Sequence, residues 1–433
     1  MIRTAGRWGR ALTVAALAIC LGACPGDGGR ANPQPLGGTV RAWGVGGLLG
    51  DGMTTDSSIP VQVVDPSDPT GFLTGATAVQ AGDSHTVALL GDGTVRTWGS
   101  NFYGQLGDGT IARSLTPVQV VDPPGPTGFL ADVTAVSADE SHTMALLGDG
   151  TLRAWGWNIA GQLGDGSTTD KWTPVQVVDP SDPTGFLTGV TAVVAGEWHT
   201  VALLGDGTLR AWGNNSRGGQ LGDGTATDSS TPVQVLDPAD PTGFLTGVTA
   251  VAAGQGHTVA LLGDGTVRAW GGNGRGQIGD GTTTVRRTPV QVVDPTDPTG
   301  FLTGVTAVTT GSLHTVALLG DGTLRAWGFN EYGRLGDGTT TDSSTPVQVV
   351  DPSDPTGLLT GVTAAEAGVW HTVALLGDGT LRAWGLNFKG ELGDGTLTST
   401  LTPVRVVDPS DPTGFLTEVT AVAAGVWHTV ALR

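Results

Sequence analysis

Residues 199–213 read HTVALLGDGTLRAWG, and the fold follows from this stretch because it recurs. HTVALL carries the Val, Leu and Thr of a half-buried strand, GDG supplies a tight turn, and TLRAW returns as a second strand. The same hairpin begins at His85, His142, His257, His314 and His371. A seventh copy is split between the two ends of the chain: HTVALR closes the sequence at Arg433, and GTVRAWG lies at 38–44.

Aligned on that hairpin, the chain resolves into units of 57 residues, with one spacing of 58 between His199 and His257. The unit over 190–248 offers four short strand-like segments in order: TAVVAG (A), HTVALL (B), TLRAWG (C) and PVQVLD (D), followed by the linker DPADPTGFLTG. A long period built from four short strands points to propeller blades rather than a helical solenoid. Consecutive meander strands pair antiparallel, so each unit is one four-stranded sheet. Seven A–B pairs, each marked by a His, and seven C–D pairs, each marked by a Trp, give seven blades. Because the chain starts with C–D and ends with A–B, the natural closure pairs the first C–D strands with the last A–B strands, leaving no open edge in the ring. The expected fold is all-β: a seven-bladed β-propeller over residues 38–433.

The first residues differ from everything that follows. Arg3, Arg7 and Arg10 precede a short apolar run over 11–19, and Leu21-Gly22-Ala23-Cys24 ends it. A basic start, a short apolar segment and small residues mark an export signal, and the run is too short to span a bilayer. The LGAC ending resembles the lipobox of bacterial lipoproteins, which implies lipidation at Cys24 after removal of residues 1–23. Residues 24–37 then form a flexible tether. The expected location is the cell envelope, with membrane contact only through the N-terminal lipid. Once Cys20 leaves and Cys24 is lipidated, no Cys remains for a disulfide or a nucleophile.

Formal net charge is −19 for the whole chain. Removing 1–23 takes three Arg and no acid, leaving 18 bases against 40 acids, a net charge of −22. Seven of those bases are the repeated Arg of the C strand, so no basic track remains for a phosphate backbone, and nucleic acid is not an expected partner.

Several repeated residues carry the chemistry of possible sites. The seven His are possible metal ligands. Equivalent atoms of adjacent blades stand roughly 10 Å apart, whereas a ligand atom sits about 2 Å from its metal. Each His is instead expected to satisfy backbone groups at a strand start. The Trp of RAWG or RTWG is expected to pack between sheets, and its neighbouring Arg to meet a carboxylate or loop carbonyls. Of the 40 acids, 26 are Asp in GDG, LGDG and DPxDP turns, where geometry accounts for them. No catalytic signature, metal site or cofactor motif is present, and no enzymatic activity is expected.

The unit resembles the regulator-of-chromosome-condensation repeat, through the AGxxHT start of strand B, the GDGT turn, and loops such as WGSNFYGQLGDGT at 98–110 and WGWNIAGQLGDGS at 155–167. The resemblance covers essentially all of 38–433 and itself implies a seven-bladed propeller. Two features depart from it. The repeated DPSDPTGFL linker is an insertion, and the first C–D loop, WGVGGLLGDG, lacks the Asn and Gln.

Positions that differ between units are those free to specialise. In an A–B–C–D meander the A–B and C–D loops share one face. The residue before each His varies there, as do the residues after each strand-C Trp. Phe102, Tyr103, Trp157, Trp198, Phe329, Tyr332, Trp370, Phe388 and Trp427 therefore form the expected partner-binding face. The expected function is binding of a protein or other macromolecule. The resemblance also implies alternatives: a protein inhibitor of an enzyme such as a β-lactamase, and guanine-nucleotide exchange, which an exported protein has no access to perform. A polysaccharide-acting enzyme or lectin is the third. The enzyme would need unit-specific carboxylates across the central channel, with Glu140, Glu197, Glu331 and Glu391 the Glu candidates.

Overall fold

The computed structural model describes residues 38–123, 125 and 128–433. The signal segment 1–23, Cys24 and the tether 24–37 lie outside the described residues. Seven four-stranded antiparallel sheets form the propeller expected from the repeat. Blades 1 to 7 are numbered here by the order of their His residues, from His85 to His428.

Blade 3 shows the pattern: A is Val190–Ala195, B His199–Leu204, C Leu209–Gly213 and D Ser229–Gln234. Strand D begins three residues earlier than the segment read from sequence and contains Pro232. The proline lies where the register shifts between Ala211 and Gly213, so the missing N–H falls at a bulge. Strand D is also the outer edge of each blade, and proline with a bulge discourages pairing between copies there.

The seventh blade is assembled from both ends. Its strands run in the order Ser57–Gln62, Val40–Gly44, His428–Leu432, Ala421–Ala424. Thr39 N donates to Arg433 O at 2.8 Å and Arg433 N returns to Thr39 O at 3.0 Å, where every other blade has its GDG turn.

The core lies between blades rather than within them. Leu203, Leu209, Leu221 and Val235 of blade 3 pack with Val251, Ala260 and Trp270 of blade 4. All seven strand-C Trp are fully buried in such seams. Each indole N–H also donates across the seam, as Trp212 Nε1 does to Gln162 O at 2.9 Å and Trp43 Nε1 does to Glu391 O at 2.8 Å. The Trp residues thus act as the expected packing residues, with the indole N–H satisfied.

The His residues differ from expectation. Their side chains do not bond backbone; each Nε2 meets the Thr Oγ1 of strand B in the next blade. The pairs run from His85–Thr143 at 2.8 Å, through His199–Thr258 at 2.9 Å, to His428–Thr86 at 2.9 Å. Thr143 Oγ1 donates its own proton to Gln105 O, so it must accept from His85 Nε2–H, which fixes the tautomer. Periodicity placed these His at strand starts but gave no sign of a cross-blade partner, because the partner lies one whole unit further along.

Among the Arg beside the Trp, one meets a carboxylate as expected, whereas others donate to the carbonyl of the preceding strand residue rather than to a loop carbonyl. Arg96 lies 3.9 Å from Asp65, and Arg210 donates to Leu209 O at 3.4 Å. The turn acids work as capping acceptors: Asp206 receives Thr208 N and Oγ1, and Asp182 receives Thr184 N and Oγ1.

Candidate functional site: a loop face around the channel mouth

Strand A of every blade lines a central channel, and the A–B loops ring its mouth. The C–D loops stand just outside them. The chain ties the two together at the Gly that follows each strand-C Trp. Gly213 adopts φ +103°, and a Cβ there would lie 2.7 Å from Trp198 O. The next residue, Asn214, donates its N–H to that same carbonyl at 2.9 Å. The C–D loop is held internally by a buried Asn: Asn158 Nδ2 donates to Asp165 Oδ1 and Thr169 O, and Oδ1 accepts Leu163 N. The Asn residues in these variable loops are therefore structural, and the residues around them are presented on a fixed frame.

Two aromatic clusters occupy this face, each built from C–D loops together with the A–B loop of the following blade. In the first, Tyr103 and Trp157 lie 5.6 Å apart, and Trp157 meets Trp198 edge-on at 4.5 Å. Arg217 stacks over Trp198 at 4.2 Å. In the second, Tyr332 contacts Phe388 at 5.4 Å and Trp370 at 6.3 Å, and Phe329 meets Trp370 at 6.5 Å. Arg275 and Arg334 both lie 4.4 Å from the Phe329 ring centre. Tyr332 holds φ 65° in the short 3₁₀ turn Glu331–Gly333, a left-handed conformation that costs a residue with a Cβ roughly 1–2 kcal/mol. Strain of this kind gathers at sites where surrounding contacts fix a residue in place.

The nine expected anchors are not equally available. Phe102 is 79% exposed and Phe388 54%. Tyr103 and Trp427 are also exposed, while Trp157, Trp198, Tyr332 and Trp370 are half-buried. Phe329 is buried at 9%, clasped between its two Arg, and supports the face from beneath. Trp427 stands outside both clusters.

Inside the aromatic residues lies a set of carboxylates that sequence reading only partly found. Two positions before the His, the units carry Asp83, Glu140, Glu197, Gln255, Ser312, Val369 and Val426 in ring order. Blade 2 adds Asp139, where the other six units have Gly, and blade 6 adds Glu366 in strand A. Asp83, Asp139, Glu197 and Glu366 line a cavity of about 360 Å³ in the channel. Glu197 reaches past blade 4: Gln255 Nε2 donates to its Oε2 at 2.6 Å, and Ser312 Oγ donates to its Oε1. Burial pushes Asp83 up to about 7, and Glu140, Glu197 and Glu366 up to about 8. Asp139 is raised by burial and by the charges of Asp83 and Glu197. Aligning the units on His would have exposed Asp83; Asp139 and Glu366 stand in positions read as strand A and its Gly.

Carboxylates from blades 1, 2, 3 and 6 thus line the channel. All of them move in the same direction, however, whereas a general acid and base need environments that push their values apart. Among the described residues no group of three or more His, Cys, Asp or Glu is placed to hold a metal ion.

A closed ring of seven four-stranded antiparallel blades defines a seven-bladed β-propeller. The chain belongs to the regulator of chromosome condensation (RCC1) repeat family: the repeat matches at 92–146, 149–203, 206–261, 264–318, 321–375 and 378–432. The Arabidopsis thaliana ultraviolet-B receptor UVR8 is 31% identical over 362 residues, covering 82% of this chain and 74% of that protein. The human E3 ubiquitin-protein ligase HERC2 is 32% identical over 311 residues, 70% of this chain but 6% of HERC2. Human WBSCR16 superposes with a TM-score of 0.74 at 23% identity, covering 92% of this chain and 98% of that one. Prp20p of Saccharomyces cerevisiae, described with its binding to Gsp1p and histones, gives 0.74 at 21%, covering 92% of each. These two likenesses speak for the fold.

Proposed function

We propose that this protein is an exported, membrane-anchored scaffold that binds a protein partner through the A–B and C–D loop face. The observation that carries the reading is the confinement of unit-specific aromatic side chains to that face on a rigid frame, with Phe102, Tyr103 and Phe388 open to solvent. Large rings held in place bury much area at small entropic cost, which suits them as interface anchors. The binding of Gsp1p and histones by Prp20p is in keeping with a protein partner. Export and anchoring rest on the segment ending at Cys24. The test is recovery of envelope proteins on the 38–433 domain and on Phe102→Ala and Phe388→Ala variants. A partner retained by the parent and lost from both variants supports the reading; one held equally by all three overturns it.

A further inference from the structure

Around the channel mouth, acids occupy one arc and apolar residues another. Asp83, Glu140 and Glu197 come from blades 1 to 3, while the equivalent positions of blades 6 and 7 are Val369 and Val426. Asp139 replaces a Gly and adds a fourth acid, and Glu140 is held at φ 21°, a backbone conformation unusual for a residue with a Cβ. Glu197 is tied to Ser312 and Gln255. Asp83 and Asp139 lie within hydrogen-bond reach of each other, Asp139 accepts Glu140 N at 2.8 Å, and Glu366 accepts Thr309 Oγ1 at 3.4 Å, so each keeps only part of its acceptor capacity open. None of these acids forms an ion pair; Arg217 stands near enough to Glu140 and Glu197 to lower both, yet it stacks on Trp198. Asp83 Oδ1, Glu140 Oε2 and Glu366 Oε1 are each buried without a hydrogen-bond partner, although Asp83 and Glu366 line the open cavity. Buried acceptors left unpaired are costly, and a set of them facing one cavity is a site awaiting a donor.

We propose that the channel mouth is a socket for one primary ammonium or guanidinium group, delivered by a basic side chain of the protein that docks on the surrounding face. The proposal rests on the docking reading above. The group carries three to five N–H donors and no acceptor, matching the carboxylate oxygens that are left once the carboxyl protons depart. Its alkyl stem would lie along the Val369 side, as long basic side chains do when their heads are polar and their stems apolar. A lone metal ion fits less well, since the acids are not clustered at ligand distances. Arrival of a cation would draw protons from carboxyls that are neutral in the empty socket.

The experiment is calorimetric titration of the 38–433 domain with butylguanidinium and butylamine, matched for ionic strength, at about pH 8.5 and about pH 5.5. Saturable one-site binding is expected, at least about tenfold tighter at the higher pH. At intermediate pH, the heat should vary with buffer ionisation enthalpy as protons leave. The Asp83→Asn/Asp139→Asn double variant should lose binding, and Phe102→Ala, outside the channel, should keep it. Absence of saturable binding, or equal binding to a double variant whose melting and strand spectrum match the parent, overturns the socket. Spermidine binding more than about a hundredfold tighter than butylguanidinium would mark a free polyamine site and overturn delivery by a side chain. The probes need no partner, so the socket and the docking face can fail separately.

Discussion

His428, in the last strand of the chain, places its imidazole Nε2 2.9 Å from Oγ1 of Thr86 in blade 1. This contact is the seventh in a ring of His–Thr pairs that links every blade to the next. All seven His are fully buried, and burial holds them well below the usual imidazole value. They are therefore neutral donors that bind sheet to sheet rather than titrating groups at physiological pH.

Replacing the acceptor should expose what one link contributes. Thr143→Val keeps shape but leaves His85 Nε2–H without a partner, while Gln105 O keeps only its second donor, Trp155 Nε1. A loss of about 1–3 kcal/mol is expected in denaturant unfolding. No loss would mean that water or a neighbour takes over and that the ring is incidental.

Closure of the seventh blade gives a second outcome. Deleting 38–64 removes strands C and D of that blade and exposes the edge of His428–Leu432. The truncated domain should lose its cooperative melt or associate through that edge, read by thermal scanning and light scattering. A monomer with unchanged melting would contradict the closure.

Stability should peak at mildly acidic pH. The His, lowered to about 3 or 4, are neutral when folded, while the unfolded chain takes up protons below about 6.5; stability falls as pH drops through that range. Glu140, Glu197 and Glu366, raised to about 8, keep protons that the unfolded chain releases above about 4.5; their contribution is lost as pH rises toward 8. Opposed in this way, the two sets place the maximum near roughly pH 6. Glu366→Gln should flatten the alkaline limb of melting temperature against pH. A plateau extending to about pH 8 in the parent would show that these carboxyls are ionised without cost.

Membrane attachment is expected to depend on one atom. Cys24→Ser should move the protein out of the membrane fraction or leave it unprocessed. Unchanged fractionation, with no change in the mass of the N-terminal peptide, would remove lipidation from the account.

The fold was legible because its signals are periodic and local. The HTVALLGDGTLRAWG hairpin fixed the blade, and the split copy fixed the closure, since a half-hairpin at each end has one economical partner. The aromatic face was legible for the opposite reason: Tyr103, Trp157 and Tyr332 break the repeat. What escaped were relations that cross units. The Thr partner of each His is invariant and so looks like any strand residue. Phe329 reads like the other loop aromatics, yet Arg334 stands where four other units have Gln and, with Arg275, clasps it from below. Asp139 and Glu366 were hidden in segments read as strand and turn, and only the ring brings them to one channel.

The most direct test of the central claim compares the two faces of the ring. Phe102→Ala and Phe388→Ala alter the A–B and C–D loop face, and Phe72→Ala and Phe186→Ala alter exposed residues of the opposite one. Affinity for the recovered partner should be measured for all four, with melting temperature as the control for folding. The account predicts a loss of at least about 1–2 kcal/mol for a true anchor on the first face and little change on the second. Full affinity in the first pair with loss in the second would contradict it.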